Sequence, residues 1–152
     1  MKTLVLGIGN LLRSDDGVGL HVIEQLREEN LGSAIELKEG ATGLDILEAI
    51  KGYDRIILID AIESSAEPGS IHKLSKEDLR NMQTAHSFST HLNMDFFTMV
   101  ELGKKLFPGQ MPEDIVIVAV EADDTTTISD KCTPAVEKAI PETVDLIKGL
   151  LS

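Results

Sequence analysis

The chain has 152 residues, 42% of them hydrophobic, which is enough for one domain with one sizeable core and too apolar for a disordered segment. Its 26 acidic residues against 14 basic ones give a formal charge of −12, which argues against non-specific nucleic-acid binding because that needs cationic surface. Cys132 is the single cysteine, so an internal disulfide and a cysteine-based metal cluster are excluded and a reducing, cytoplasmic setting is expected.

The first element is a short apolar run, Lys2 to Ile8, of the kind buried on both faces of a sheet. It is too short for a signal peptide core, and no stretch of the chain is long and apolar enough to span a membrane. A glycine-rich loop from Gly7 to Gly19 follows, and Val18, Leu20, Val22, Ile23 and Leu26 then recur at helical spacing up to Glu29. Ala34 to Leu37 reads as a second strand. Thr42 and Asp45 have capping-box spacing and open a helix that Gly52 closes. Arg55 to Ile59 is the most hydrophobic run and predicts a central strand ending on Asp60.

Pro68-Gly69 marks a turn, Ser70 to Leu74 a short edge strand, and Ser75 with Asp78 a helical cap. Helical spacing resumes from His91 to Leu106. Ile115 to Val120 is a further buried strand, followed by an acidic, threonine-rich loop from Glu121 to Asp130. Thr133-Pro134 is an N-cap with proline at the first helical position, opening a terminal helix that Pro141 should kink or divide.

Strands alternating with helices predict an α/β fold: a three-layer α/β/α sandwich with a mainly parallel sheet and one edge strand that can be antiparallel. Loops at the carboxyl ends of its strands gather on one edge, where such folds bind ligands. Three of these loops begin at Gly7, Asp60 and Glu121.

The first loop resembles a nucleotide-binding turn only superficially. Leu12 stands where the third glycine of the dinucleotide fingerprint belongs, and Asp15 and Asp16 occupy the helix N-terminus that would meet phosphate. The same pair suits a cation, although either aspartate also serves as a helix cap. Asp60 lies on the functional edge, as a reactive carboxylate or as a turn residue satisfied by backbone donors. Of the histidines, His21 and His72 fall within predicted elements and read as structural or surface residues. His86 and His91 lie in a polar segment before a helix, His91 in its first turn. Two carboxylates and an imidazole make an oxygen/nitrogen site suited to Zn²⁺ or Ni²⁺. No nucleophile elbow occurs, and Cys132 has no electropositive setting that would make it reactive.

The ordered set Gly7-x-Gly9-Asn10-x-Leu12-x-x-Asp15-Asp16-Gly17-x-Gly19, Leu58-Ile59-Asp60-Ala61, Ser89-Thr90-His91 and Thr133-Pro134-Ala135-Val136 resembles the hydrogenase maturation endopeptidases. The match spans residues 1–152, read as one such domain. The resemblance implies an α/β/α peptidase that removes the C-terminal extension of a [NiFe] hydrogenase large-subunit precursor once nickel has been inserted. It carries metal binding to Asp16, Asp60 and His91. Asp16 stands where many members have glutamate, which shortens the reach by one methylene. The segment after strand two departs from the family's Asp-Gly-Gly-Thr-like run, reading Lys38-Glu39-Gly40-Ala41-Thr42-Gly43, so Glu39 inherits no role.

The expected activity is therefore nickel-dependent proteolysis by a cytoplasmic monomer. The nickel is borne by the precursor, though zinc could occupy the site. Asp16 or Asp60 orients the attacking water, and Gly9, Asn10, Thr42 and Gly43 line the cleft. The alternatives are a peptidase or amidohydrolase with its own intrinsic metal, and a binding module that has lost catalysis.

Overall fold

The computed structural model describes residues 1–41, 44–78, 87–88 and 96–152. Its strands are β1 (Thr3–Gly7), β2 (Ile35–Glu39), β3 (Arg55–Glu63), β4 (Ile71–Ser75), β5 (Ser87–Phe88) and β6 (Asp114–Glu121). Its helices are α1 (Val18–Leu26), α2 (Asp45–Ile50), α3 (Phe96–Leu106) and α4 (Pro134–Leu151), with a 3₁₀ turn at Ser14–Gly17.

The sheet order is β2-β1-β3-β6-β4. The first four strands run parallel, and β4 pairs antiparallel with β6 at the edge. β1, β3 and β6 are buried almost end to end, as continuous apolar runs inside a two-sided sheet must be. Edge strands β2 and β4 are only partly covered.

Alternation along the strands divides the core in two. Leu4, Leu6, Ile56, Leu58, Ile115 and Ile117 pack beneath α2 and α3. Val5, Ile57, Ile59, Val116, Val118 and Val120 pack beneath α1 and α4 on the other face. The expected α/β/α layering is therefore present.

Several boundaries differ from the sequence reading. β3 runs past Asp60 to Glu63, because β6 pairs with it as far as Ile62↔Glu121 and β5 adds an antiparallel pair at Ile62 and Glu63. α4 continues unbroken through Pro141. α2 starts at Asp45, preceded by Leu44, which makes no side-chain cap; Thr42, the expected cap, lies outside the described residues. Ser75 and Asp78 do form the expected reciprocal cap, with Ser75 N donating to Asp78 Oδ2 at 2.8 Å and Asp78 N to Ser75 Oγ at 3.3 Å. Of the helix expected from His91, the described part begins at Phe96.

Candidate active site

The 13 residues from Gly7 to Gly19 form a tightly folded loop at the carboxyl end of β1, and glycines set how closely it approaches the sheet. A Cβ on Gly19 would lie 2.5 Å from the Ile59 carbonyl oxygen and 2.8 Å from that of Ile8, so the first turn of α1 sits directly on β1 and β3. Gly9 has φ 141°, and a Cβ there would fall 1.9 Å from the Asp16 carbonyl oxygen. The 3₁₀ turn carrying Asp15 and Asp16 is thereby packed against β3.

Neither aspartate caps α1. Its N-cap is Gly17, with no side-chain hydrogen bond, which corrects the capping reading. Asp15 is fully buried and ties three segments together. Its Oδ2 accepts from Asp123 N at 2.9 Å, Asp124 N at 3.0 Å and Thr133 Oγ1 at 2.8 Å, and its Oδ1 accepts from Thr133 N at 2.7 Å. Thr133 and Pro134 stand at the N-cap and first position of α4 as read from the sequence, but the Thr133 hydroxyl serves Asp15 instead of capping the helix.

Asp16 is 4% exposed, and its Oδ2 accepts from Asn10 N at 3.0 Å. Asn10 Oδ1 accepts in turn from Leu12 N at 3.0 Å, so the predicted substrate-lining residue Asn10 also braces the loop from within. Ser14 lies in the left-handed region at φ 51°, held by Ser14 N donating to Ser129 O at 2.9 Å.

Asp60 is fully buried in β3, and its Oδ1 accepts from Ala61 N at 2.8 Å. Alternation places it on the face of Leu58 and Ile62, beside Ala119 of β6. Asp16 and Asp60 thus occupy neighbouring elements at the carboxyl edge. Two buried carboxylates at one edge are costly unless they are hydrogen-bonded or meet a cation. Oxygen donors of this kind suit a borderline divalent ion when an imidazole completes the set. His91, Thr42 and Gly43 lie outside the described residues, as does His86. Among the described residues no group of three or more histidine, cysteine or acidic side chains is arranged to hold a metal.

Glu121, read only as the start of a loop, is a fourth buried acid on this edge, after Asp15, Asp16 and Asp60, and is 2% exposed. It accepts from Ser64 N at 2.8 Å and from the Ser64 hydroxyl, and its Oε1 lies 3.4 Å from His72 Nε2. His72 therefore faces a buried carboxylate rather than solvent alone. Its position opposite Ala119 was the available signal, but the strand pairing had to be known first. A cleft of about 460 Å³ opens beside Glu121, lined also by Glu63, Ser65, Asp123 and Asp124. Asp124 is held down to a pKa of about 2 by the hydroxyl and N–H of Thr127 and the N–H of Thr126.

Cys132 is a poor nucleophile here. Burial pushes its thiol up to about 12, reinforced by the charges of Asp15 and Glu137, and its Sγ lies 3.9 Å from the Ser14 carbonyl.

The hydrogenase maturation protease family model, HycI, matches residues 20–149. The hydrogenase expression/formation protein HupD of Thiocapsa roseopersicina is 29% identical over 149 residues, an alignment covering 91% of this chain and 66% of HupD. Among solved structures, the hydrogenase maturating endopeptidase HybD from E. coli superposes with a TM-score of 0.84 at 26% identity, covering 99% of this chain and 92% of HybD. The [NiFe] hydrogenase maturation protease HybD from Thermococcus kodakarensis gives 0.78 at 25% identity, with both chains fully covered. A family match across most of the chain, on a fold that brings two buried aspartates to one sheet edge, makes this chain a member of the hydrogenase maturation protease family.

Proposed function

We propose that the chain removes the C-terminal extension of a [NiFe] hydrogenase large-subunit precursor, using the nickel already seated in that precursor as its recognition signal. The observation that carries this reading is the pair of buried carboxylates, Asp16 and Asp60, on adjacent elements of a maturation-protease fold. In this reading Asp16, Asp60 and His91 engage the substrate's nickel. The ion is the cargo under inspection and not a resident cofactor.

Once the precursor is docked, Asp16 or Asp60 would take the proton from the attacking water and return it to the departing amine as the peptide C–N bond breaks, and the substrate's nickel would supply Lewis acidity at the scissile carbonyl. Gly9, Asn10, Thr42 and Gly43 line the cleft that receives the peptide. The working setting is cytoplasmic and the working unit a monomer. No helix among the described residues is long and apolar enough to cross a membrane, which accords with a partner met in solution.

The deciding experiment incubates the purified chain with nickel-loaded and nickel-free precursor and follows the C-terminus by intact mass. Shortening is expected only in the loaded precursor. Equal cleavage of both overturns recognition through nickel. A metal that stays with the protease through chelation, together with cleavage of unrelated peptides, favours an intrinsic-metal peptidase instead.

A further inference from the structure

The apolar surface beside the candidate site is not accounted for by the chemistry above. Leu11 and Leu12 are 42% and 59% exposed on the first loop, and Ile128 is 86% exposed on the loop after β6. The two loops are joined by a parallel bridge, Arg13↔Ser129. Ser129 N donates to Leu12 O at 3.0 Å and Ser14 N to Ser129 O at 2.9 Å. Leu12 and Ile128 each stand one residue before the paired position, which sets them side by side.

This exposure is imposed by a well-fastened backbone. Asp15 binds the Asp123 and Asp124 N–H groups, and Asp124 Oδ1 accepts from the N–H groups of Thr126 at 2.9 Å and Thr127 at 3.0 Å. Leu11 lies against the site itself, since a Cβ on Gly17 would come within 2.9 Å of its Cα. Apolar side chains held out into water next to a reactive edge, with polar loops around them, mark a contact surface for another protein.

We infer that Leu11, Leu12 and Ile128 form the docking wall for the precursor, receiving apolar side chains of the segment that enters the cleft, flanked by basic residues. The inference rests on the proteolytic reading. Charge selects this occupant over a second copy of the chain. Each copy carries −12, and the loop beside Ile128 holds Asp123, Asp124 and Asp130, more acid than the neighbouring Arg13 and Lys131 offset. Like-charged copies repel at such a rim, whereas a segment with basic flanks is attracted.

The test measures binding and cleavage of nickel-loaded precursor by the wild type, by Leu12→Ser combined with Ile128→Ser, and by the conservative Ile128→Leu. Both side chains are exposed, so urea unfolding should show all three proteins equally stable. The double variant should bind about tenfold more weakly, with KM raised in step and kcat unchanged, a split that marks lost docking and not lost chemistry. Ile128→Leu should retain wild-type binding, and added salt should weaken binding to every protein. Unchanged binding in the double variant overturns the wall, as does wild-type self-association that the double substitution abolishes while KM stays put. If the wild type binds the precursor through these residues but leaves its C-terminus intact, the wall stands and the proteolytic reading fails. If cleavage proceeds with no dependence on Leu12 or Ile128, the proteolytic reading stands and the wall fails.

Discussion

A carboxylate offers about four lone-pair sites, and Asp15 meets them with three backbone N–H groups and one hydroxyl. Its acceptor capacity is spent on joining the first loop, the loop after β6 and the start of α4. Asp16, one residue later, accepts from Asn10 N within its own loop. The two aspartates look alike in sequence, and no local pattern separates them, because all four donors to Asp15 come from more than 100 residues away in the chain. Asp15→Asn puts an amide NH₂ where an acceptor is needed and leaves at least one buried N–H unmatched. Hydrogen bonds to charged acceptors are worth about 1.5–3 kcal/mol each, so the variant should lose about 2–3 kcal/mol. A lower urea midpoint at unchanged slope would record it. An unchanged midpoint would mean that the three segments are held together by something else.

At the scale of elements, α1 fixes where the site loop sits. Alanine normally stabilises a helix interior by about 1 kcal/mol over glycine. At Gly19 the added Cβ meets two backbone carbonyl oxygens at 2.5 and 2.8 Å, neither of which can rotate aside. Overpacking of this kind costs about 1–3 kcal/mol, so Gly19→Ala should destabilise despite its better propensity. Thermal unfolding checks the sign, and a raised Tm would show that α1 can lift from the sheet at no cost. The interior strands were legible because two-sided burial writes itself as unbroken apolar runs in β1, β3 and β6. The end of β3 is hidden in the sequence because Asp60 looks like a strand terminus, whereas pairing with β5 and β6 carries the strand on to Glu63. Pro141 is expected to kink or divide the last helix; it does not divide it, and α4 carries it within a helix whose Val136, Ala139, Ile140, Val144 and Ile147 are buried on the sheet. Tertiary burial outweighed a local penalty of about 3 kcal/mol.

Across the whole molecule, the apolar clusters on the two faces of the sheet carry stability, and the carboxyl edge carries buried charge. The placing of Asp16 and Asp60 at the carboxyl edge was legible from sequence, because a carboxylate after an apolar run and an acidic pair after a glycine turn are local signals. The roles of Asp15, Glu121 and His72 were not, because their partners come from β4, β6 and the loops beyond them. This separation of core from edge predicts how Asp60→Asn behaves. The asparagine Oδ1 can still accept from Ala61 N, the volume is unchanged, and the surrounding Leu58, Ile59, Ala61 and Ile62 remain packed. A buried charge costs desolvation, so removing it should leave the urea midpoint within about 1 kcal/mol of wild type while precursor processing falls by at least a hundredfold. The two readouts must be taken on the same preparation. Collapse of folding along with processing would make Asp60 a structural residue of β3, and full processing by a stable Asp60→Asn protein would remove it from the site altogether.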